Sequence, residues 1–303
     1  MTTVAPESQV VAAPLAAERR LPWVLQIHWQ MIRSKPLGSF GALMIVLLIL
    51  TAIFAPVIAT ESPTRTNLRA MLEAPSGQHL MGTDMIGRDV YSRIVYGARV
   101  SVVVGFGAVG IGTVVAILLG TIGAYAGGWF DMVIQRVVDA WIAIPFLVFL
   151  LAAMTILKPG VGSIIAVLAL GVSLSNSRVV RSAVLSVMAQ PYIEAARSLG
   201  GTDARVIARH VVPNIMAPVI VLATLGLGNV ILAEAALSFL GFGIPPPTAA
   251  WGGMLSGTAR DYMYIAPWLM IAPSLAITVT VFAFNMYGDA LRDLLDPRLR
   301  GSR

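Results

Sequence analysis

The sequence predicts an all-α integral membrane protein with six spanning helices, and three observations carry that expectation. Its 303 residues are 57% hydrophobic and only 12% charged, with a mean hydropathy of +0.82, far from the balance of a water-exposed domain. Stretches without Asp, Glu, Lys or Arg cover residues 36–60, 100–130, 140–157, 159–177, 211–233 and 262–288, each near the ~20 helical residues that cross a bilayer core. The basic residues, finally, are shared unevenly between the two sides that those spans define.

In chain order, residues 1–35 form a polar, alanine-rich tail ending its first part in Arg19-Arg20. A twin-arginine export signal is set aside, because the apolar run that follows starts 15 residues later and is too long for a signal core. The first and second spans follow at 36–60 and 100–130. The third and fourth runs are the shortest and are separated only by Lys158, so one long broken hairpin is the alternative to two spans there. A seventh uncharged run, 235–259, contains Pro245-Pro246-Pro247 and Trp251-Gly252-Gly253, a composition that interrupts a helix. It is therefore not counted as a span.

An inside amino terminus places 14 Lys and Arg inside: Arg19, Arg20, Arg33, Lys35, Arg136, Arg178, Arg181, Arg197, Arg205, Arg209, Arg292, Arg298, Arg300 and Arg303. Seven fall outside: Arg65, Arg69, Arg88, Arg93, Arg99, Lys158 and Arg260. The positive-inside bias thus puts both termini in the cytoplasm. The net charge of +6 reflects this topology and anionic headgroups rather than nucleic acid, for which no soluble basic domain is present. Cysteine is absent, which removes disulfides, thiol chemistry and cysteine metal sites.

Residues 61–99 lie outside the first span. From Asp89 onward, Val90, Tyr91, Ile94 and Val95 fall near helical spacing, while Arg88, Ser92, Arg93 and Arg99 leave that stripe. The pattern reads as an amphipathic helix on the outer membrane surface, either feeding the chain into the second span or offering a contact surface to an extracytoplasmic partner.

The most informative segment lies between the fourth and fifth spans. Pro191-Tyr192 opens a helical turn holding Glu194, Ala195, Ala196, Arg197 and Leu199, with the acid early in the helix where it complements the dipole. Gly200-Gly201 stops it. A second helix begins at Thr202, whose hydroxyl is expected to cap it, with Asp203 in its first positions, and runs through Val206, Ile207, His210, Val211 and Val212 to Pro213 at the membrane. The alanines leave a small-sided face that another protein can approach closely.

Inside the membrane, Glu234 stands out, since an ionised carboxylate there costs on the order of a few kcal/mol unless paired or watered. It either meets a substrate amine or, the reading favoured here, pairs with Arg88, Arg93 or Arg260 at the same level. With Ser238 and Phe239 it forms a pathway or gate candidate. Asp139 and the tail leucines Leu291, Leu294 and Leu295 read as packing or interface residues. The glycines at 105, 107, 110, 112, 120 and 123 read as close helix packing.

Glu194-Ala195-Ala196, Gly200 and Pro213 resemble the EAA loop of ABC-importer membrane subunits. Within that family the chain resembles the C-type permease of the dipeptide/oligopeptide group. The closer likeness lies in Gly82-Thr83-Asp84, Gly87-Arg88-Asp89, Tyr96-Gly97-Ala98-Arg99, the stretch from Leu232 to Gly243, and Phe284-Asn285-Met286-Tyr287-Gly288-Asp289 with Arg292-Asp293 and Leu295-Asp296-Pro297-Arg298. His210, where the general pattern has Ile, matches the peptide-type subset.

The resemblance implies a type I ABC-importer transmembrane domain at residues 98–290, with its EAA loop at 191–213. Before it come the tail 1–35 and the first helix and extracytoplasmic segment 36–97; after it comes the tail 291–303. It implies an inner-membrane permease subunit that carries di- or oligopeptides, with glutathione, nickel complexes and opine-like compounds as alternatives. The implied partners are a second permease subunit, one or two cytoplasmic ATPase subunits and an extracytoplasmic binding protein. The docking residues would be Glu194, Ala195, Ala196, Arg197, Leu199, Gly200, Asp203, His210 and Pro213. No phosphate-binding loop occurs, and the only lysines, Lys35 and Lys158, are not preceded by glycine. ATP and Mg are therefore expected on partner subunits, with no cofactor, metal or catalytic residue here. Two other classes stay open: a secondary transporter driven by an ion gradient, and a non-transporting scaffold.

Overall fold

A computed structural model describes residues 23–295, leaving Arg19-Arg20 and the Asp296-Pro297-Arg298 end of the last motif outside the described residues. The elements, in order, are α1 (Trp23–Ser34), α2 (Pro36–Ile53), α3 (Ala55–Ile58), α4 (Val90–Ala126), α5 (Gly128–Ile142), α6 (Phe146–Ile156) and α7 (Val161–Met188). Then come α8 (Pro191–Ser198), α9 (Asp203–Val206), a π-helical turn (Ile207–Val211), α10 (Val212–Phe239), α11 (Trp251–Leu255), α12 (Thr258–Asp261) and α13 (Trp268–Leu295). No strand occurs among the described residues.

Helices α2, α4, α7, α10 with its lead-in, and α13 are long and apolar enough to cross a membrane. The pair α5 and α6, bent by 92° at its break, makes a sixth when the two are taken as one broken span. The third apolar run is therefore not one straight helix. Pro145 sits at the break because it lacks an N–H and disfavours helical backbone in the residue before it. The Trp141 and Phe149 rings, 4.3 Å apart edge to face, brace the corner.

Two boundaries differ from those set by charge. Helix α4 begins at Val90, so the outer helix and the second span are one 37-residue element, ~55 Å long at 1.5 Å per residue. Ser92 and Arg93 are buried alongside Val90, so this stretch packs within the protein instead of lying half-solvated. Likewise Asp203–Phe239 forms one 37-residue span. Its π turn, where the Val212 N–H reaches the Ile207 carbonyl, accommodates Pro213, whose ring would clash with the carbonyl four residues back in a regular helix.

The core lies where α4 packs along α7 and α10, and where α2 packs on α13. Small residues set the spacing. A side chain at Gly112 would fall 2.8 Å from the Ala169 carbonyl, and one at Gly120 2.7 Å from that of Ser177, so only glycine lets the α4 and α7 backbones approach this closely. Val104, Ala108, Leu150, Ile164, Leu168 and Ile231 fill the interior.

Candidate functional site

The polar hairpin begins where α7 ends. Pro191 stands in the first turn of α8, where its missing N–H costs nothing. Ile193 is the helix's one buried side chain, inserted into a cluster with Val180, Val184, Val206, Val211 and Ile215. The remaining surface faces out: Glu194, Ala195, Arg197 and Ser198 are exposed, Tyr192 is 41% exposed and Leu199 89% exposed. Ala196 is partly covered.

The corner closes on its backbone. The Gly201 N–H donates to the Ala196 carbonyl at 3.0 Å and the Gly200 N–H to the Arg197 carbonyl at 2.9 Å, the paired bonds of a Schellman ending. Gly200 has φ +84°, a conformation that glycine adopts without strain. Thr202, by contrast, makes no side-chain capping bond. Its carbonyl accepts the Val206 N–H at 2.9 Å, so the second helix starts without the expected hydroxyl cap. His210 lies partly buried with its ring 6.4 Å from that of Tyr192, and its carbonyl accepts from the Asn214 amide at 2.6 Å. Pro213 is exposed at the start of α10.

Ion pairs brace the helices around this corner. Arg181 grips Asp131 with two hydrogen bonds, one of 2.6 Å, tying α7 to α5. Arg178 pairs with Asp139, a second ion pair between α7 and α5. The Tyr125 hydroxyl donates to Asp203, and the Arg197 guanidinium lies 5.2 Å from the Tyr125 ring centre. Tyr125 carries no motif signal, and only the meeting of distant segments brings it here.

At the opposite end of the spans a compact cap forms. Asp89 accepts from the Ser92 N–H at 2.8 Å and the Thr60 hydroxyl at 3.0 Å, with the His79 ring 3.1 Å away. Burial pushes its carboxyl up, but the Ser92, His79 and Thr60 hydrogen bonds together outweigh that and hold it below the ordinary aspartate value. Asp84 takes Arg88 at 2.6 Å and lies 4.0 Å from Arg93.

That arrangement corrects the expected pairing of Glu234. Arg88 and Arg93 are committed to Asp84, and the exposed Arg260 lies over the Phe239 ring at 5.6 Å. Glu234 is 1% exposed. It accepts a 2.7 Å hydrogen bond from Ser238, while its second oxygen has no hydrogen-bond partner among the described residues. The three gate candidates are thus neighbours on α10, with Ser238 buried beside Glu234. No cluster of three metal-ligating His or acidic side chains occurs among the described residues.

Residues 112–301 match the family described as binding-protein-dependent transport system inner membrane component, and residues 22–75 match the N-terminal transmembrane domain of oligopeptide transport permease C. The chain is 41% identical to the dipeptide transport system permease protein of Alkalihalophilus pseudofirmus, over 92% of this chain and 91% of that one. It is 38% identical to the glutathione transport system permease protein of Escherichia coli, over 93% and 92%. On this evidence the chain belongs to the family of binding-protein-dependent transport system inner membrane components.

Proposed function

We propose that this chain is a permease subunit of an ATP-driven importer that moves di- or oligopeptides across the cytoplasmic membrane. It is a multi-pass transmembrane subunit and not an enzyme, and hydrolysis belongs to separate ATPase subunits that hold ATP and Mg. The observation that carries the coupling role is helix α8. It buries one apolar side chain, Ile193, closes its corner on its own backbone, and leaves Glu194, Ala195 and Leu199 to an outside surface beside Arg197, which lies over the Tyr125 ring. Such a helix suits a cleft in another protein.

In this reading both termini and α8 are cytoplasmic, and closure of the ATPase dimer pushes α8. Because α8 is joined to α7 at one end and through the glycine corner to α10 at the other, the push turns long rigid helices rather than bending a loop. The pathway is shared with a second permease subunit and fed by an extracytoplasmic binding protein. Glu234, Ser238 and Phe239 stand near its outer end. The core spans residues 98–290 with the docking loop at 191–213. The glutathione permease relative favours a second cargo, glutathione, which is itself a small peptide carried by the same machinery.

Reconstitution tests this. Vesicles holding this chain, its second permease, the ATPase subunits and the binding protein should accumulate a labelled dipeptide only with ATP. Accumulation by the purified chain alone in an ion gradient, without ATP, would overturn the assignment.

A further inference from the structure

The hairpin makes covalent connections to α7 and α10 but none to α4, the longest helix of the bundle together with the fifth span. Helix α4 ends at Ala126, and Gly127 and Gly128, at φ +61° and +55°, turn the chain sharply away. Otherwise α4 meets the hairpin region through apolar contacts of Ala116 and Ala124 with the cluster around Ile193 and Val206, and such contacts have no directional preference.

Tyr125 changes this. Its hydroxyl donates to Asp203, the first residue of α9, and its ring receives the guanidinium of Arg197 from α8 at 5.2 Å. One side chain from α4 therefore touches residues on both sides of the Gly200-Gly201 corner. A hydrogen bond fixes direction and a stacked cation fixes the ring's face. Together they hold the corner's angle and fasten it to α4.

We propose that Tyr125 is a positioning residue that carries the displacement of α8 into α4, so that three spanning helices move with the docking helix instead of two. This rests on the docking role proposed for α8. The ring's contact with Arg197 and the hydroxyl's contact with Asp203 are separable, which makes Tyr125→Phe the informative change: it keeps the stack and removes the bond.

The assembled transporter in proteoliposomes, with binding protein and dipeptide, gives the test as dipeptide taken up per ATP hydrolysed. Tyr125→Phe should lower that ratio roughly three- to tenfold, the effect of losing one ordinary, solvent-exposed hydrogen bond, while ATPase subunits co-purify as before. Asp203→Ala should also lower the ratio, and the double variant should be no worse than the worse single one. Spin labels at Ala126→Cys and Ser198→Cys, in a chain with no cysteine of its own, read the linkage directly. Their separation should stay narrow through turnover and broaden in Tyr125→Phe. Wild-type coupling in Tyr125→Phe, additive losses in the double variant, or an unchanged label distribution would overturn the proposal. Failure of the ATPase subunits to co-purify with the unaltered chain would instead refute the docking role on which it rests.

Discussion

The cap at one end of the spans and the hairpin at the other are both polar excursions from an apolar bundle, and they use polarity in opposite ways. In the cap, Asp84, Asp89, His79, Thr83, Ser92 and Arg93 are all buried and joined to one another or to backbone. In the hairpin, Glu194, Arg197 and Asp203 are exposed, and the fold is held by backbone bonds, one buried apolar side chain and the contacts of Tyr125 with Arg197 and Asp203. A network satisfied internally specifies its own shape. A surface with groups left outward specifies a partner instead. The contrast predicts that substitutions in the cap cost folding, whereas substitutions in the hairpin cost coupling.

Paired glycine changes test that contrast most severely. A side-chain carbon at Gly87 would fall 1.8 Å from the Asn67 carbonyl oxygen, at φ +73°. Gly87→Ala should destabilise the protein by about 3 kcal/mol, visible as a lower thermal midpoint of the purified chain. Gly200, also at positive φ, has nothing within 4 Å of the same added carbon, so Gly200→Ala should cost only about 1 kcal/mol. Equal losses at the two sites would erase the distinction.

Asp89→Ala comes next, at about 2 kcal/mol, since it removes the cap of α4 and strands His79 and Thr60. The same carboxyl predicts a pH response. Its folded value is depressed, so its contribution is present above the unfolded value near ~4 and disappears as pH falls through the lower folded value. Unfolding followed from neutral to acid pH should show this loss, and Asp89→Asn should flatten it.

In the hairpin the effects on folding are smaller and those on transport larger. Gly200→Asp should leave the protein inserted while separating ATP hydrolysis from uptake, measured together in vesicles. Normal peptide uptake by that variant would contradict docking through this corner. Leu199→Ser, at a side chain 89% exposed, should change stability by less than about 0.5 kcal/mol yet weaken ATPase binding several-fold in a co-purification titration.

What the sequence disclosed follows the range of the forces involved. The apolar runs located the spans because burial in lipid is a local demand of each segment. The Gly200-Gly201 corner was legible because a positive φ calls for glycine. The bend at Pro145 was visible only as an ambiguity between one broken hairpin and two spans, since charge spacing cannot register a change of direction. Arg93 and Arg99 hide the extent of α4, because a charge reads as a boundary where the helix in fact runs on. Depth alone pairs Glu234 with an arginine, but depth does not reveal that Asp84 already holds Arg88 and Arg93. Tyr125 was silent because its partners are 72 and 78 positions away.

The central claim is that α8 presents its outward face to an ATPase on the cytoplasmic side. A single cysteine replacing Leu199, in a chain that has none, tests it directly. With an impermeant thiol reagent, labelling should occur only from the cytoplasmic face of membrane vesicles and should be blocked when the ATPase subunits are bound. Labelling from the outer face, or labelling unaffected by the bound ATPase, would contradict it.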